Sequence, residues 1–406
     1  MKIHWPLLAA CSLTLLSTPA LAQTLERPPE VEPPPSEPLP QGKDEEDGGA
    51  QIKIANLSLT LGGYIQPGFV SQVDTPFNQD DSHDGFEFAN ARLTAKGKQE
   101  LNELFFMGME FGFDVATGNF DPKDVFGTLG LNSKLLMLDV GQMKQPFGLA
   151  QMQSEAQLQF PLAARVRELA FGRDQGARLR GEVDVDPVWI GWGAMIANGE
   201  GGFRSRRNLD DKFTYSGRLE VSLHEPIKSE SDLWDTDLQV TAGGSIGYTP
   251  SLGKGFGIDD VGLAETRYGA DLRAVFHGAT ARAEYIGGKR DGREGGKAVK
   301  RRAVALQAGY VLPLPFMRPQ IEPVARLEIS DVNQNEDGFP AGQDPVVDNT
   351  ERRTLEFGAN VYLEEHHAKL QVAYRLTDLL EGPKTDSQGN PLIGDEVLVF
   401  MQIGWF

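Results

Sequence analysis

Hydrophobic and polar residues alternate along most of this chain. Between Leu238 and Tyr248 every second residue is apolar or small, and the residues between them are mostly polar or small. The same alternation recurs over 212–224 and 267–277. Because successive side chains of a strand point to opposite faces, each segment is predicted to be a strand with one apolar and one hydrophilic face. Charged residues on almost every hydrophilic face favour a barrel that is apolar outside and water-filled inside over a dry sandwich core.

Alternation and turn residues together predict about sixteen strands, an even number as in bacterial outer-membrane barrels. The predicted strands cover 52–70, 84–98, 103–116, 123–131, 134–144, 174–184, 187–198, 212–224, 235–249, 266–276, 279–288, 300–312, 317–330, 350–363, 367–377 and 395–406.

The connections between these strands alternate in length. Most even-numbered strands are followed by only a few residues, whereas longer stretches rich in Gly, Asp and Asn follow the odd-numbered strands. Bacterial outer-membrane barrels have short turns at the periplasmic rim and long loops at the extracellular rim. The fold class predicted is therefore all-β, an antiparallel transmembrane barrel with both termini at the inner rim.

Aromatic residues of the apolar parity are predicted to form two girdles at the membrane interfaces. If the odd-numbered strands run outward, the outer girdle contains Phe213, Tyr248, Tyr268 and Tyr285, and the inner girdle contains Phe276, Tyr310 and Trp405.

The first residues have the features of a secretory signal peptide. Lys2 gives a basic start, an apolar run covers 7–16, and Ala20-Leu21-Ala22 is a small-residue cleavage site. We therefore predict a cleaved signal peptide over residues 1–22. Lipidation of Cys11, the only cysteine, is the alternative, and it is disfavoured because almost no apolar run precedes that residue.

Residues 23–50 differ in composition from the rest of the chain. Seven prolines lie between Pro28 and Pro40, and the region carries a net charge of −6. Such a segment cannot bury a core, so it is predicted to be a disordered arm that either contacts the cell wall or a partner or is an inert leader. The barrel domain is predicted over 51–406, which keeps −14 of the chain's −19. This acidic balance argues against nucleic-acid binding.

The connection over 145–173 is the longest, and it is predicted to fold into the barrel as its third extracellular loop. It is net positive and holds charged residues beside apolar ones that can pack inside. The charged residues are Arg165, Arg167, Glu168 and Arg173, and the apolar residues are Phe160, Leu162, Leu169 and Phe171. Such a loop would place positive charge at the narrowest point, where the lining charges determine the selectivity of a pore.

At Leu138–Leu149 the chain reads L-D-V-G-Q-M-K-Q-P-F-G-L, and here it resembles the phosphate-selective porin O and P family. Further similar motifs are A-R-L-T-A-K-G at 91–97, F-G-R-D-Q-G-A-R-L-R-G at 171–181, L-E-F-G-A-N-V-Y-L at 355–363 and the terminal M-Q-I-G-W-F. The resemblance implies a sixteen-stranded, trimeric porin with an inward third loop. Ala89 and Asn90 replace two adjacent arginines of the phosphate-selective members, and Gln151 replaces a lysine.

The function predicted is an outer-membrane porin of a Gram-negative bacterium, a water-filled channel for passive diffusion of small hydrophilic solutes. A weak to moderate preference for anions such as phosphate is expected, without the high-affinity site. The predicted pore-lining residues are Arg92, Lys96, Lys144, Arg165, Arg167, Arg173, Arg178, Arg180 and Arg218. The alternative is a structural or adhesive barrel with a closed lumen.

No catalytic residues, metal or cofactor are expected. His83 lies in an acidic loop, and His366-His367 lies at an inner turn rather than at the outer rim where barrel hydrolases place their catalytic groups. Calcium binding by the acidic stretches at 80–81 or 331–337 is less favoured than ordinary loop structure. The expected partners are outer-membrane lipid and lipopolysaccharide, the barrel-assembly machinery, two further copies of the chain in a homotrimer, and small inorganic anions.

Overall fold

The computed structural model describes residues 50–73, 84–199, 201–202, 208, 211–234, 236–250, 264–291, 298–313, 319–331, 351–380 and 393–405. The predicted signal peptide, almost all of the Pro-rich arm and large parts of the predicted long loops lie outside the described residues. So do His83 and nearly all of the two acidic stretches. Among the described residues, no helix is both long enough and apolar enough to cross a membrane.

The described chain consists almost entirely of β-strands. The strands are β1 Ala50–Ile54, β2 Leu57–Gln72, β3 Gly85–Glu100, β4 Phe105–Asp114, β5 Asp121–Leu131, β6 Met137–Lys144, β7 Arg173–Val185, β8 Val188–Ala197, β9 Thr214–Leu223, β10 Gln239–Thr249, β11 Glu265–Phe276, β12 Ala279–Arg290, β13 Val299–Tyr310, β14 Gln320–Asp331, β15 Arg352–Glu364, β16 Ala368–Leu379 and β17 Glu396–Trp405. Between β6 and β7 lie the short helix α1 Leu149–Met152 and the 3-10 turns Glu155–Gln157 and Arg165–Leu169.

Every strand from β2 to β17 pairs antiparallel with the next, and β17 pairs back onto β2. Sixteen strands thus close a barrel, and no edge is left between the first and the last. This confirms the predicted fold class and strand number.

One predicted strand is wrong in detail. The segment expected as a single strand over 52–70 is a hairpin of β1 and β2, with its turn at Ala55 and Asn56. The backbone at Ala55 has a φ of 52°, and no glycine in the sequence marks this turn. β1 pairs with residues 57–61 of β2, whereas β17 pairs with residues 63–72. The short strand therefore continues the line of β17 along the same side of β2.

The two faces of the barrel follow the predicted parity. Leu219, Ile246 and Leu272 point outward and are exposed, whereas the neighbouring Arg218 and Asp271 point inward and are buried. The aromatic residues expected in the girdles are all exposed on the outer face: Phe213, Tyr248, Tyr268, Phe276, Tyr285, Tyr310 and Trp405. Alternation along the chain thus separates a membrane face from a lumen face.

Residues 145–172, termed here the inward loop, pack against lumen-facing residues of the barrel wall. Phe147 and Phe160 are completely buried. The first cluster contains Phe147, Ala150, Val166, Leu169 and Phe171 with Ile286, Ala303 and Ala305 of the wall, and the second contains Phe160 with Val324, Ala373, Leu398 and Phe400. Burial of one such phenylalanine contributes about 1.5–3 kcal/mol. Apolar contacts therefore hold the loop on the wall.

A second segment also lies against the lumen wall. Residues 224–238 connect β9 and β10 at the rim that carries both ends of the barrel, and they are termed here the inner-rim loop. Ile227 and Leu233 of this loop are buried, as are Glu230 and Asp232. Other turns at this rim are short, such as residues 186–187 between β7 and β8.

Candidate pore constriction

Charged side chains of the wall bind the backbone of the inward loop. Glu284 accepts hydrogen bonds from the backbone N–H groups of Leu149 and Ala150, at 2.6 and 2.9 Å. Lys369 of the wall is instead a donor, and its ammonium group donates to the carbonyl oxygens of Ala156 and Leu158, at 3.1 and 2.7 Å. Buried backbone groups need such partners, because an unpaired polar group away from water is costly. These wall charges are thus occupied in holding the loop.

Glu155 of the inward loop is the centre of a basic cluster. Its carboxylate lies 2.6 Å from Arg92 of β3 and 2.6 Å from Arg167 of the loop itself. The Lys144 ammonium donates to the carbonyl oxygen of Gln153, at 2.8 Å. Burial alone would raise the pKa of Glu155, but the surrounding cations outweigh it and hold this pKa well below its usual range. Glu155 therefore stays ionised and ties the loop to the wall.

A second basic cluster lies on β5, β6 and β7. Arg173 binds Asp124 through two hydrogen bonds, of 2.9 and 3.0 Å. Arg178 and Arg180 both bind Asp139, which lies opposite Arg178 in the β6–β7 register. Arg178 and Arg180 therefore share one carboxylate, whereas Arg173 has its own.

In two of these ion pairs the carboxylate is less exposed than an arginine that covers it. The Asp139 side chain is 0% exposed, whereas that of Arg180 is 36% exposed. The Glu155 side chain is 9% exposed, whereas that of Arg167 is 27% exposed. The order is reversed in other pairs, because the Asp124 side chain is 18% exposed and that of Arg173 is 10% exposed. Glu168 is likewise exposed and pairs with a buried arginine. Around Asp139 and Glu155, the most accessible charged groups are therefore the guanidinium groups of Arg180 and Arg167.

The remaining predicted pore-lining residues lie in different surroundings. Arg165 donates its backbone N–H to Glu328, and among the described residues no carboxylate lies within 4 Å of its guanidinium. Lys96 faces Glu110 across the β3–β4 ladder. Arg218 is almost completely buried, and it pairs with Asp271 and Glu220. The pore-lining role of all nine residues stays a prediction.

Sequence reasoning did not single out the carboxylates that organise the clusters. Glu155, Asp124 and Asp139 give no local signal, although Asp139 and Arg178 occupy the same lumen parity.

The positions that depart from the family pattern have structural contacts of their own. Asn90 donates to the side-chain oxygen of Gln66, at 2.6 Å, and Gln151 accepts from Arg167, at 3.0 Å.

The inner-rim loop contacts the inward loop inside the barrel. Glu230 accepts hydrogen bonds from the backbone of Gln159, at 2.9 Å, and from the side chain of Gln307, at 2.8 Å, and it forms an ion pair with Arg282. The Gln153 side chain donates to the carbonyl oxygen of Lys228. Each loop thus completes the hydrogen bonds of the other.

Within the described part of the chain, no group of three or more His, Cys, Asp or Glu residues is arranged to hold a metal ion.

Comparison with solved structures finds the same fold in several porins. The anion-selective porin from Comamonas acidovorans has a TM-score of 0.55 and 13% identity, with coverage of 86% of this chain and 100% of that chain. The Salmonella typhi OmpF complex with daunomycin has a TM-score of 0.57 and 14% identity, with coverage of 88% and 100%. OmpT of Vibrio cholerae in its trimer form has a TM-score of 0.54 and 10% identity, with coverage of 86% and 99%.

A search of curated proteins finds no match to this chain. The model of the family described as phosphate-selective porin O and P matches residues 60–377, which is most of the barrel. This agrees with the resemblance seen in the sequence motifs. The chain therefore belongs to the phosphate-selective porin O and P family, and it is an outer-membrane channel for passive diffusion rather than an enzyme.

Proposed function

We propose that this porin passes small hydrophilic solutes with a weak to moderate preference for anions, including phosphate. It lacks the high-affinity phosphate site that the family name describes, because Ala89, Asn90 and Gln151 stand where selective members carry cations. The observation that carries the proposal is the unequal exposure of the paired charges. Where Arg180 covers Asp139 and Arg167 covers Glu155, a passing ion meets guanidinium groups first.

Selectivity is tested by the reversal potential of single channels in a salt gradient. Replacement of Arg165, Arg167 and Arg173 with Ala is expected to shift the wild-type anion preference toward cations. One unit charge about 8 Å from an ion in water contributes about 0.5 kcal/mol, so three charges change the relative permeability roughly tenfold. The matched control replaces Arg302, Arg353 and Lys134 with Ala, three cations that lie outside the lumen. An unchanged reversal potential in the first variant would contradict the proposal.

Phosphate affinity is tested separately, by titration of the chloride current with phosphate. The proposal expects only weak, gradual block. Block at low micromolar phosphate would show that other residues form a high-affinity site, and it would contradict this part of the proposal.

The alternative function is a structural or adhesive barrel with a closed lumen. It is favoured by one observation, namely that both the inward loop and the inner-rim loop pack against the lumen wall. Planar bilayers distinguish the two functions, because stepwise conductance supports the channel and silence in both orientations supports the closed barrel.

We also propose an export and assembly route for this porin. The chain is exported by a signal peptide cleaved after Ala22, inserted by the barrel-assembly machinery and assembled as a homotrimer in contact with lipopolysaccharide. Support for the trimer comes from the similar fold of OmpT of Vibrio cholerae, which was solved in a trimer form. Chemical cross-linking in detergent and N-terminal sequencing of the mature protein test these statements.

A further inference from the structure

Two lysines face each other on the membrane side of the barrel near its outer rim. Lys289 of β12 and Lys300 of β13 are direct partners in the antiparallel register, and both side chains are exposed. Their parity is that of Tyr285 on β12 and Leu306 on β13, which are exposed on the lipid face. Both lysines therefore point away from the lumen and cannot take part in conduction.

Among the described residues, no carboxylate lies within 4 Å of either ammonium group. The cations of the neighbouring strands are different, because Arg302 pairs with Glu351, at 2.9 Å, and Arg353 pairs with Asp378, at 3.2 Å. Like charges directly opposite each other on a sheet repel and destabilise the pairing. Two exposed ammonium groups held side by side are an electrostatically favourable place for an anion.

Tyrosines fix the depth of the lysine pair in the membrane. Tyr268 and Tyr285 have ring centroids 6.1 Å apart on the adjacent strands β11 and β12, and both rings are exposed on the lipid face. Tyrosine rings prefer the headgroup level of a bilayer. Lys289 lies four residues beyond Tyr285 toward the outer rim, roughly 13 Å along the strand. The two ammonium groups are thus placed at and just above the headgroups of the outer leaflet.

We infer that Lys289 and Lys300 bind a phosphate group of the phosphorylated glycolipid, lipopolysaccharide, that forms the outer leaflet around a porin. Two ammonium groups supply six N–H donors, and one lipid phosphate can bridge them and remove their repulsion. The tyrosines below contact the acyl and sugar parts of the same lipid. This inference rests on the outer-membrane location and names the site of the lipopolysaccharide contact proposed above, but it is independent of the selectivity of the pore.

The test measures the affinity of full-length protein in detergent for fluorescently labelled lipopolysaccharide. The K289Q/K300Q variant is expected to bind at least about tenfold more weakly than wild type, since each lysine near an anionic lipid surface contributes favourably. The charge-matched control is K98Q/K134Q, which removes two exposed lysines at the inner rim and should bind within about twofold of wild type. Equal single-channel conductance of all three proteins verifies that the barrels are intact and separates this result from the proposed pore function.

Two further binding experiments test whether the phosphate of the lipid is the ligand. Lipopolysaccharide stripped of its phosphates by phosphatase should bind wild type as weakly as the intact lipid binds K289Q/K300Q. Excess inorganic phosphate should not displace the lipid, because the tyrosine contacts favour the glycolipid over the free ion. Affinity of K289Q/K300Q equal to that of wild type would overturn the inference. Efficient displacement by inorganic phosphate would overturn the assignment to lipid.

Discussion

At the scale of single residues, the lumen is organised by carboxylates that lie behind arginines. Glu155 lies between Arg92 and Arg167, and Asp139 lies between Arg178 and Arg180. Breaking a buried ion pair by removing one partner costs about 3–5 kcal/mol, because the other charge is left uncompensated. In the proposed channel, the same carboxylates also reduce the positive potential that a solute meets. We therefore expect a single residue to affect both the stability of the loop and the selectivity of the pore.

Glu155→Gln should increase anion preference and weaken the attachment of the inward loop. Loss of one negative charge about 8 Å from the solute path changes relative permeability roughly twofold, which a reversal potential measures. Glu103→Gln is the matched control, because Glu103 is exposed in the turn between β3 and β4 at the inner rim. In wild type the pKa of Glu155 is lowered, so its stabilisation is complete above the ordinary carboxyl range and is lost only as pH falls through the lowered value. An unchanged reversal potential in Glu155→Gln would place this residue away from the solute path.

At the scale of elements, the inward loop depends on the wall and on the inner-rim loop. Phe171 of the inward loop lies over Gly247 of β10, where a Cβ atom would clash with the phenyl ring. On the other side of the segment, Gln159 is bonded to Glu230 of the inner-rim loop. The constriction is therefore assembled from three separate parts of the chain.

Glu230→Gln should loosen the contact between these two loops. The change leaves Arg282 without its carboxylate and weakens the bonds to Gln159 and Gln307, so the local cost should be about 3–5 kcal/mol. We expect greater open-channel noise in bilayers and faster protease cleavage within the inward loop. Glu225→Gln is the control, since Glu225 lies in the same loop with an exposed side chain. Equal noise and equal cleavage in both variants would show that the inner-rim loop does not support the inward loop.

The contrast between strands and loops explains how far the sequence predicts this structure. The strands are predictable because a period of two residues is visible locally, and every predicted strand is present with ends shifted by a few residues. The hairpin turn at Ala55 is not visible, because it contains no glycine. The burial of Glu230, Ser231 and Asp232 is also hidden, because a polar run looks like an exposed turn until its distant partners are known. Likewise, candidate basic residues can be selected by parity, but their partners depend on register and on the path of the loop.

At the scale of the whole molecule, the proposed channel combines a negative net charge with positive charge at its constriction. Residues 51–406 carry −14, whereas the most accessible charged groups around Asp139 and Glu155 are Arg180 and Arg167. Fields of distant charges are screened over the Debye length, which is about 30 Å at 0.01 M salt and about 10 Å at 0.1 M. The selectivity of the pore should therefore depend on salt in a way that a uniformly charged channel would not show.

Anion preference should rise and then fall as salt concentration increases. Between about 0.01 and 0.1 M, screening removes the field of the acidic outer regions while the constriction still acts on ions a few ångströms away. Near about 1 M the Debye length is only about 3 Å, so the preference should decline toward the free-solution mobility ratio. Reversal potentials at a constant concentration ratio measure the anion preference at each salt concentration. An anion preference that only declines as salt rises from its lowest concentration would contradict the opposite signs of the net charge and the constriction charge. The variant that lacks Arg165, Arg167 and Arg173 should show no maximum of anion preference.

The β1–β2 hairpin has a consequence for the order of folding. β2 can pair with β17 only after the C-terminal residues have been synthesised and exported. One side of β2 therefore stays unpaired longer than any other strand edge of the barrel. An unpaired strand edge can pair with a strand of another chain, which leads to aggregation. β1 pairs with the first five residues of that side through a local contact, which forms quickly and needs no distant segment. The hairpin thus pairs the part of this side that β17 does not reach, and during folding it limits the unpaired edge of β2 to the residues that later pair with β17.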